Sequence, residues 1–387
     1  MSESKARQAA QAKAQVSPLK KFGDVLCKPV IFHYAIIWLI VLLVVGTIAQ
    51  RTMGLYLAQE KFFSSWLMWF GPIPVPGGRT TMILIFINLL AKTVFKSIWR
   101  VDQIGVLISH FGALLLMGGG FVTAYTTVEG NMAIVEGQKS AIFSSYHDLE
   151  IAVIDTTDES DEKVMAFSGP YIAQDAEIKS DKFPFSLKIA EYYRNADVVR
   201  LEESPGERYR AAAKRFGLKE LRLETEHERN QAGVLVDIDG MGEEENGLYL
   251  LVEFMSVPQT LSTSDGRSYR LELRRRTYPL PFTIEVIDFK KELHPNTQVA
   301  RAYSSKVNVI EHGTSIPKLI SMNNPLRRYG YTFYQSSFVE GDDDTTILAV
   351  VRNHGRLFPY ISSIIICIGV MIHMGFQLPR LIRRVNS

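Results

Sequence analysis

Four apolar stretches decide what this 387-residue chain can fold into: Val30–Gln50, Thr80–Trp99, Ile104–Thr126 and Phe358–Leu378. At ~1.5 Å rise per residue, about twenty helical residues cross the ~30 Å hydrocarbon core of a bilayer. Each stretch is long enough to do so. They also explain why 47% of the residues are hydrophobic and why the mean hydropathy, +0.03, is high for a soluble protein. Between the third and fourth stretches lies a polar block of over 200 residues. The expected fold is a membrane protein with four transmembrane α-helices, three N-terminal and one C-terminal. A large extracytoplasmic antiparallel β-rich domain is expected between the third and the fourth.

The second stretch is the weakest, because Lys92 and Lys96 lie near one end. Lys92 must snorkel to an interface or face a partner. A surface-lying helix is the alternative there. The first stretch is too long for the apolar part of a cleavable signal, and no small-x-small site follows before Arg51. Short connections rich in Lys and Arg mark the cytoplasmic side. Lys5, Arg7, Lys13, Lys20, Lys21 and Lys28 precede the first stretch. Lys96 and Arg100 sit between the second and third, and Arg380, Arg383 and Arg384 follow the fourth. With four spans these regions share one side, so both termini are expected in the cytoplasm. The loop from Arg51 to Arg79 holds only Arg51, Lys61 and Arg79. The expected segments are a cytoplasmic tail (1–29), spans (30–50, 80–99, 104–126, 358–378), an outer loop (51–79), the external domain (127–357) and a final cytoplasmic tail (379–387).

The outer loop contains "FFSSWLMWFGPIPVPGG". Its aromatic rings suit a membrane interface, and Pro72, Pro74 and Pro76 exclude a helix. A half-buried amphipathic segment is expected, with a substrate-contacting element as the alternative. In the external block, "LEIAVIDTT", "FSLKIAEYY", "GVLVDID", "LYLLVEF", "FTIEVIDF" and "TTILAVVRN" alternate or carry β-branched residues, separated by turn residues. This spacing predicts a sandwich or barrel. The stretch "GERYRAAAKRFGLKELRLETEHERN" reads instead as a short solvated helix or a mobile insertion. Tyr329, Tyr331 and Phe333 would share one strand face and Thr332 and Tyr334 the other. A sheet core, rather than an aromatic docking patch, is the expected use. Arg327 and Arg328 read as solvated turn residues, with contact to haem propionates or an acidic partner surface as the alternative.

Charge and motifs exclude several functions. The 43 basic and 41 acidic residues are mixed along the chain, which argues against a nucleic-acid partner. The two cysteines, Cys27 and Cys367, lie outside the polar block, so that block holds neither a disulfide nor a thiolate metal site. CxxCH is absent, so the chain is not itself a c-type cytochrome. No P-loop, GxGxxG, HExxH or GxSxG occurs, and no residue reads as a catalytic acid or base. His147, His227, His294 and His312 are isolated in sequence and read as surface or turn residues.

The chemistry concentrates on "VLISHFGALLLMGGG", Val106–Gly120. An ionisable residue in a span is costly unless paired or functional. His110 lies six residues past Ile104, roughly 9 Å into the span and in its cytoplasmic half. A neutral imidazole can ligate iron or hydrogen-bond a neighbouring helix. Gly105 and Gly112 fall on one face, and Gly118, Gly119 and Gly120 follow. Such residues allow close helix packing or room for a flat ligand. Met117, seven residues beyond His110, reads as lining. His373 lies at a similar depth in the fourth span and is a candidate to form or flank the same inner site. His33 stands near the start of the first span.

Two segments carry a resemblance: "LPFTIEVIDFKKELHPNTQVARAYSSKVNVIE" (Leu280–Glu311) and "NNPLRRYGYTFYQSSF" (Asn323–Phe338). With "GTIAQ" closing the first span and "VEGNMAIVEGQ" following the third, the chain resembles the ResB family, also called CcsB, along nearly its whole length. This is a System II cytochrome c biogenesis family. The resemblance implies a bacterial inner-membrane protein with its large domain on the periplasmic side. It implies a haem-handling subunit of a cytochrome c synthase (haem lyase) complex, not catalytic alone. Such a subunit helps move haem b across the membrane and attach it to the CxxCH of apocytochrome c. The implied partner is a ResC/CcsA-like membrane protein with the tryptophan-rich WWD motif that this sequence lacks. A thiol-reducing thioredoxin-like protein is a further implied partner. In the family a third-span histidine is an axial haem ligand, and that position matches His110. The second ligand belongs to the partner, which leaves His373 a flanking role. The external domain here is compact for the family, which leaves open how much apocytochrome-binding surface it retains. The alternative function is a haem-free membrane scaffold or chaperone that recruits apocytochrome c.

Overall fold

The computed structural model describes residues 23–96, 100–158, 162–203, 205–255, 258–263, 265–297, 300–339 and 342–385. Lys5, Arg7, Lys13, Lys20, Lys21 and Trp99 lie outside the described residues. The chain divides into a helical unit, residues 1–127 with 353–387, and a β unit, residues 128–352.

The helical unit holds α1 (Pro29–Ala58), α2 (Gly78–Phe95), α3 (Ile104–Thr126) and α4 (Phe358–Val385). Among the described residues these four are long and apolar enough to cross a membrane, three before the β unit and one after it. Helix α1 begins with Pro29, which suits a first helical position where no N–H is needed. Its apolar side chains point all round, and Ile37, Ile40, Val44 and Ile48 are exposed, as lipid-facing residues are. The helix runs past Gln50 to Gly54, whose φ of 79° turns the chain back. Phe62 and Phe63 then return against Gly46, where a Cβ would lie 2.8 Å from the Phe63 ring.

The outer-loop segment forms a hairpin of β1 (Leu67–Phe70) and β2 (Ile73–Pro76), turned at Gly71 with φ 61°. The register pairs Trp69 with Pro74 and Leu67 with Pro76, so the two missing N–H groups fall on the outer edge of β2. The Pro76 carbonyl on that edge accepts a 2.8 Å bond from Trp38 Nε1. Trp66, Leu67, Trp69, Phe70 and Ile73 are all exposed on the protein, which leaves their rings free for a membrane interface. Alternating prolines produced a strand, and a lone hairpin has no second layer to bury its rings.

Helix α2 packs along both α1 and α3 as a member of the bundle. Its buried Asn88 donates to the carbonyls of Leu26 and Lys28, just before α1; the Lys28 carbonyl also accepts the Ile31 N–H. Phe86 meets Phe121 of α3 edge-on, with centroids 6.0 Å apart. At the other end Lys96 pairs with Asp24 at 2.8 Å.

The β unit is antiparallel and built on two long strands, β4 (Lys139–Asp155) and β13 (Ser268–Leu293). Each passes through two hydrophobic layers. The first halves of the unit's pairing, β13 from Ser268 and β4 to Asp155, carry β5 (Lys163–Ser168) and β12 (Gln259–Ser262) at their sides. A second sheet covers them: β6 (Glu177–Lys179), β7 (Ser186–Tyr193), β10 (Gly233–Asp239) and β11 (Gly247–Val252). Between them lies a core that includes Ile151, Phe185, Val234, Tyr249, Leu251 and Tyr269. Alternation of period two puts these on one face of each strand.

The other halves of β4 and β13 join β3 (Val128–Val135), β14 (Ala300–Glu311), β15 (Thr314–Ser321), β16 (Leu326–Arg328), β17 (Tyr331–Val339) and β18 (Asp342–Arg352). The pairing order ends on β15 and β16, which are consecutive in sequence and bridged at Ser321 and Asn324. The sheet therefore curls back on itself around Phe143, Phe282, Ile284, Tyr331, Phe333 and Leu348. Tyr331 and Phe333 are core residues, as alternation predicts. Tyr329 is not on their strand: it sits in the preceding turn with φ 47°, exposed, stacked on Phe282 at 5.9 Å. Arg328 is not merely solvated, since Glu311 accepts two bonds from its guanidinium, at 2.7 and 2.5 Å.

The Ala-, Glu- and Arg-rich stretch after Gly206 forms no α-helix. It contains a 3₁₀ turn (Ala211–Lys214), the strand β9 (Phe216–Glu220) and a second 3₁₀ turn (His227–Arg229). Strand β9 pairs with β8 (Ala196–Arg200), so long-range pairing overrides the helical composition of the segment.

Candidate functional site

Helix α3 presents two different faces. Gly105, Gly112 and Gly119 are its fully buried residues, spaced seven apart. All three lie against α4. A Cβ on Gly105 would come 2.5 Å from the backbone nitrogen of His373, and one on Gly112 would come 2.7 Å from Ile366. Gly119 meets Phe358. The approach is mutual, because Gly369 of α4 packs on the backbone of Ser109. Small residues on both helices bring the backbones together, and dispersion takes the place of hydrophobic drive in lipid. The glycine face is filled by protein. Gly118 and Gly120 have nothing within 4 Å of a built Cβ, so only one member of the glycine triplet serves packing.

His110 stands about 140° around α3 from Gly105, and Met117 within about 20° of His110. The two therefore share a face, and it is not the face of the buried glycines. That face turns toward α2, whose Phe86 contacts Phe121. His110 is half-buried, and its Nδ1 is buried with no hydrogen-bond partner among the described residues. His373 also has a buried, unpartnered Nδ1, yet its backbone packs on the glycine face. The backbone of His373 thus lies against the glycine face, about 140° around α3 from the position of His110. His33 Nδ1 lies 2.7 Å from the Pro29 carbonyl, a local helix-end contact.

The β unit contributes a polar cluster that sequence reasoning missed. Between Arg275 and Thr277 the pairing of β13 with β4 slips: Ser145, Tyr146, His147 and Asp148 together face the single residue Arg276. Ser145 Oγ accepts the backbone N–H groups of His147 and Asp148 and holds this bulge. The bulge aims His147 at His227 of the second 3₁₀ turn, with their Nδ1 atoms 3.2 Å apart. His147 Nε2 stands 3.9 Å from Glu228 Oε1. Burial pushes the His227 imidazole down to about 4, helped by His147 and Arg275. Burial also lowers His147, against the pull of Glu228. Both rings are neutral at pH 7.

Beneath the pair, Arg275 joins three segments. It pairs with Glu253, whose side chain is 1% exposed, and donates to the carbonyls of Tyr146 at 2.5 Å and Asn230 at 3.2 Å. Arg274 similarly pairs with buried Glu150 at 2.9 Å. A cavity of about 860 Å³ opens here, lined by Phe143, Tyr146, Leu251, Glu253, Arg275 and Glu228 among others. His147 and His227 are 80 residues apart in the chain, so no spacing rule could have paired them. Among the described residues no three His, Cys, Asp or Glu side chains converge on one metal position.

The helices and the β unit define a multi-span membrane protein with an intramembrane histidine and a large β-rich domain. The family model of the ResB-like family matches residues 246–357, the same family that the sequence resembles. The match takes in β11 through β18, all of the curled sheet except β3 and β4, and ends just before α4. The ResB-like family implies a part in cytochrome c biogenesis. No curated protein matches the chain.

Proposed function

We propose that this chain is the haem-handling membrane subunit of a System II cytochrome c synthase. It works with a ResC/CcsA-like partner and delivers haem to the CxxCH thiols of apocytochrome c on the periplasmic side. The observation that carries this reading is His110: a buried imidazole nitrogen without a partner inside a span, on the face of α3 that α4 does not occupy. An orphaned polar atom at that depth costs free energy unless something satisfies it. Iron ligation through one imidazole nitrogen is the chemistry that haem would bring.

In this reading haem is cargo, and the chain contributes binding and orientation. His110 would hold the iron from the α3 side, and Met117, on the same face, would lie along the macrocycle. The glycine contacts of α3 with α4 give the ligand a rigid backing. His373 has no ligand role here; it belongs to the helix–helix seam. Thioether formation needs position more than an acid or base from this chain.

The test is spectroscopic. The full chain, purified with its co-expressed WWD partner, should carry a reducible Soret absorbance. His110→Gly should lose it and added imidazole should restore it. A colourless complex that still matures cytochrome c would favour the haem-free scaffold and sink the haem reading.

A further inference from the structure

We propose that His147 and His227 form a two-histidine clip for a divalent first-row transition ion, of which Zn(II) is the reference. The remaining coordination positions stay open to water or to a ligand carried by another molecule. The site is separate from His110 and does not depend on the haem reading.

The geometry argues it. Metal–imidazole bonds of about 2.0–2.1 Å meeting near a tetrahedral angle place two ligating nitrogens about 3.2–3.4 Å apart. The two Nδ1 atoms are 3.2 Å apart. Opposite axial positions on a single iron would need about 4 Å, so the pair does not suit the two faces of one haem. The second nitrogen of His147 faces the Glu228 carboxylate. At 3.9 Å that carboxylate is beyond hydrogen-bond reach, but its charge favours a proton on Nε2 and so a bare Nδ1.

Both ligands stand on braced backbone. The four-residue bulge held by Ser145 supports His147. Buried Asn230 donates to the His227 carbonyl and accepts from the Glu224 N–H, while Arg275 binds the Asn230 carbonyl. Asn195 ties the same segment at Arg222 and Gln231. The charges that act on His147 are carboxylates Glu228, Asp148 and Glu129 against Arg275. His147, Arg275 and Arg194 act on His227 against the Glu228 carboxylate. Neutral imidazoles, borderline in softness, select Zn, Co, Ni or Cu over Mg or Ca. A bound ion would cross-link the 3₁₀ turn to β4 beside the 860 Å³ cavity.

The experiment uses the full chain in detergent with a non-histidine tag, stripped by chelator and titrated with Co(II), then competed with Zn(II). The expected result is one equivalent with a low-coordinate visible absorption, displaced by Zn(II). His147→Ala and His227→Ala should each abolish it, with hydrogen exchange of β4 and β10 checking the fold. His227→Cys should keep binding and add a thiolate-to-Co(II) charge-transfer band. Absence of stoichiometric binding by the parent chain overturns the proposal. So does binding that survives either alanine variant, which would assign the ion to another site.

Discussion

Replacing Arg275 by methionine removes the cation from a pair whose side chains are 11% and 1% exposed. Glu253 would then be left charged and buried. Breaking a buried pair from one side costs about 3–5 kcal/mol. The carbonyls of Tyr146 and Asn230 lose a donor as well, at about 1 kcal/mol each where water cannot replace it. The pair term alone, about 4 kcal/mol, is a large part of the 5–15 kcal/mol typical of a domain. In hydrogen exchange on the full chain, amides of β4 and β10 that open only with this layer should exchange about a thousandfold faster. Replacing both partners, Arg275→Met with Glu253→Leu, removes the uncompensated charge and should recover most of the protection. An acceleration under about fivefold in Arg275→Met would refute the reasoning, since the pair would then be solvated in solution.

The helix seam predicts a contrast: Gly105→Leu must push α4 away and should lower the unfolding midpoint in detergent, at about 1–3 kcal/mol or more, whereas Gly118→Leu should leave it unchanged. In the curled sheet, Phe333 is fully buried and Tyr334 is 39% exposed. Phe333→Ala should cost about 3–5 kcal/mol by tyrosine near-ultraviolet circular dichroism in a denaturant series, and Tyr334→Ala far less. Hydrogen bonds from Arg328 hold the Glu311 carboxyl below the ordinary carboxylate value of 4.5. Its stabilisation is therefore present above that value and is lost as the pH falls through the lower folded value. The stability gap between the parent chain and Glu311→Gln should be constant near neutrality and close on acidification; a gap that widens in acid would contradict the sign.

Much of this fold is legible because its physics is local. Apolar runs of span length announce α1 to α4, and two-residue alternation announces most strands, including Tyr331 and Phe333 facing inward. The heptad of Gly105, Gly112 and Gly119 announces a packing face, though not which helix fills it. Three things escaped. The hairpin Leu67–Pro76 is short and aromatic, and only its pairing register explains the prolines. The segment around Phe216 has helical composition, but β8 offers it a partner over fifteen residues away. His147 and His227 meet only because a β-bulge and a 3₁₀ turn converge, and neither leaves a trace in residue type. His110 was legible as an oddity, and its five-residue offset from Gly105 already sets it about 140° from the glycine stripe; what the sequence does not show is that α4 fills that stripe.

The central claim rests on that face of α3. The most direct measurement is the Soret absorbance of the full chain purified with a co-expressed ResC/CcsA-like protein, the proposed partner, compared with His110→Gly before and after added imidazole. The account predicts a haem band in the parent, its loss in His110→Gly, its return with imidazole, and an unchanged band in His373→Ala. A band that persists in His110→Gly, or one that vanishes only in His373→Ala, would contradict it.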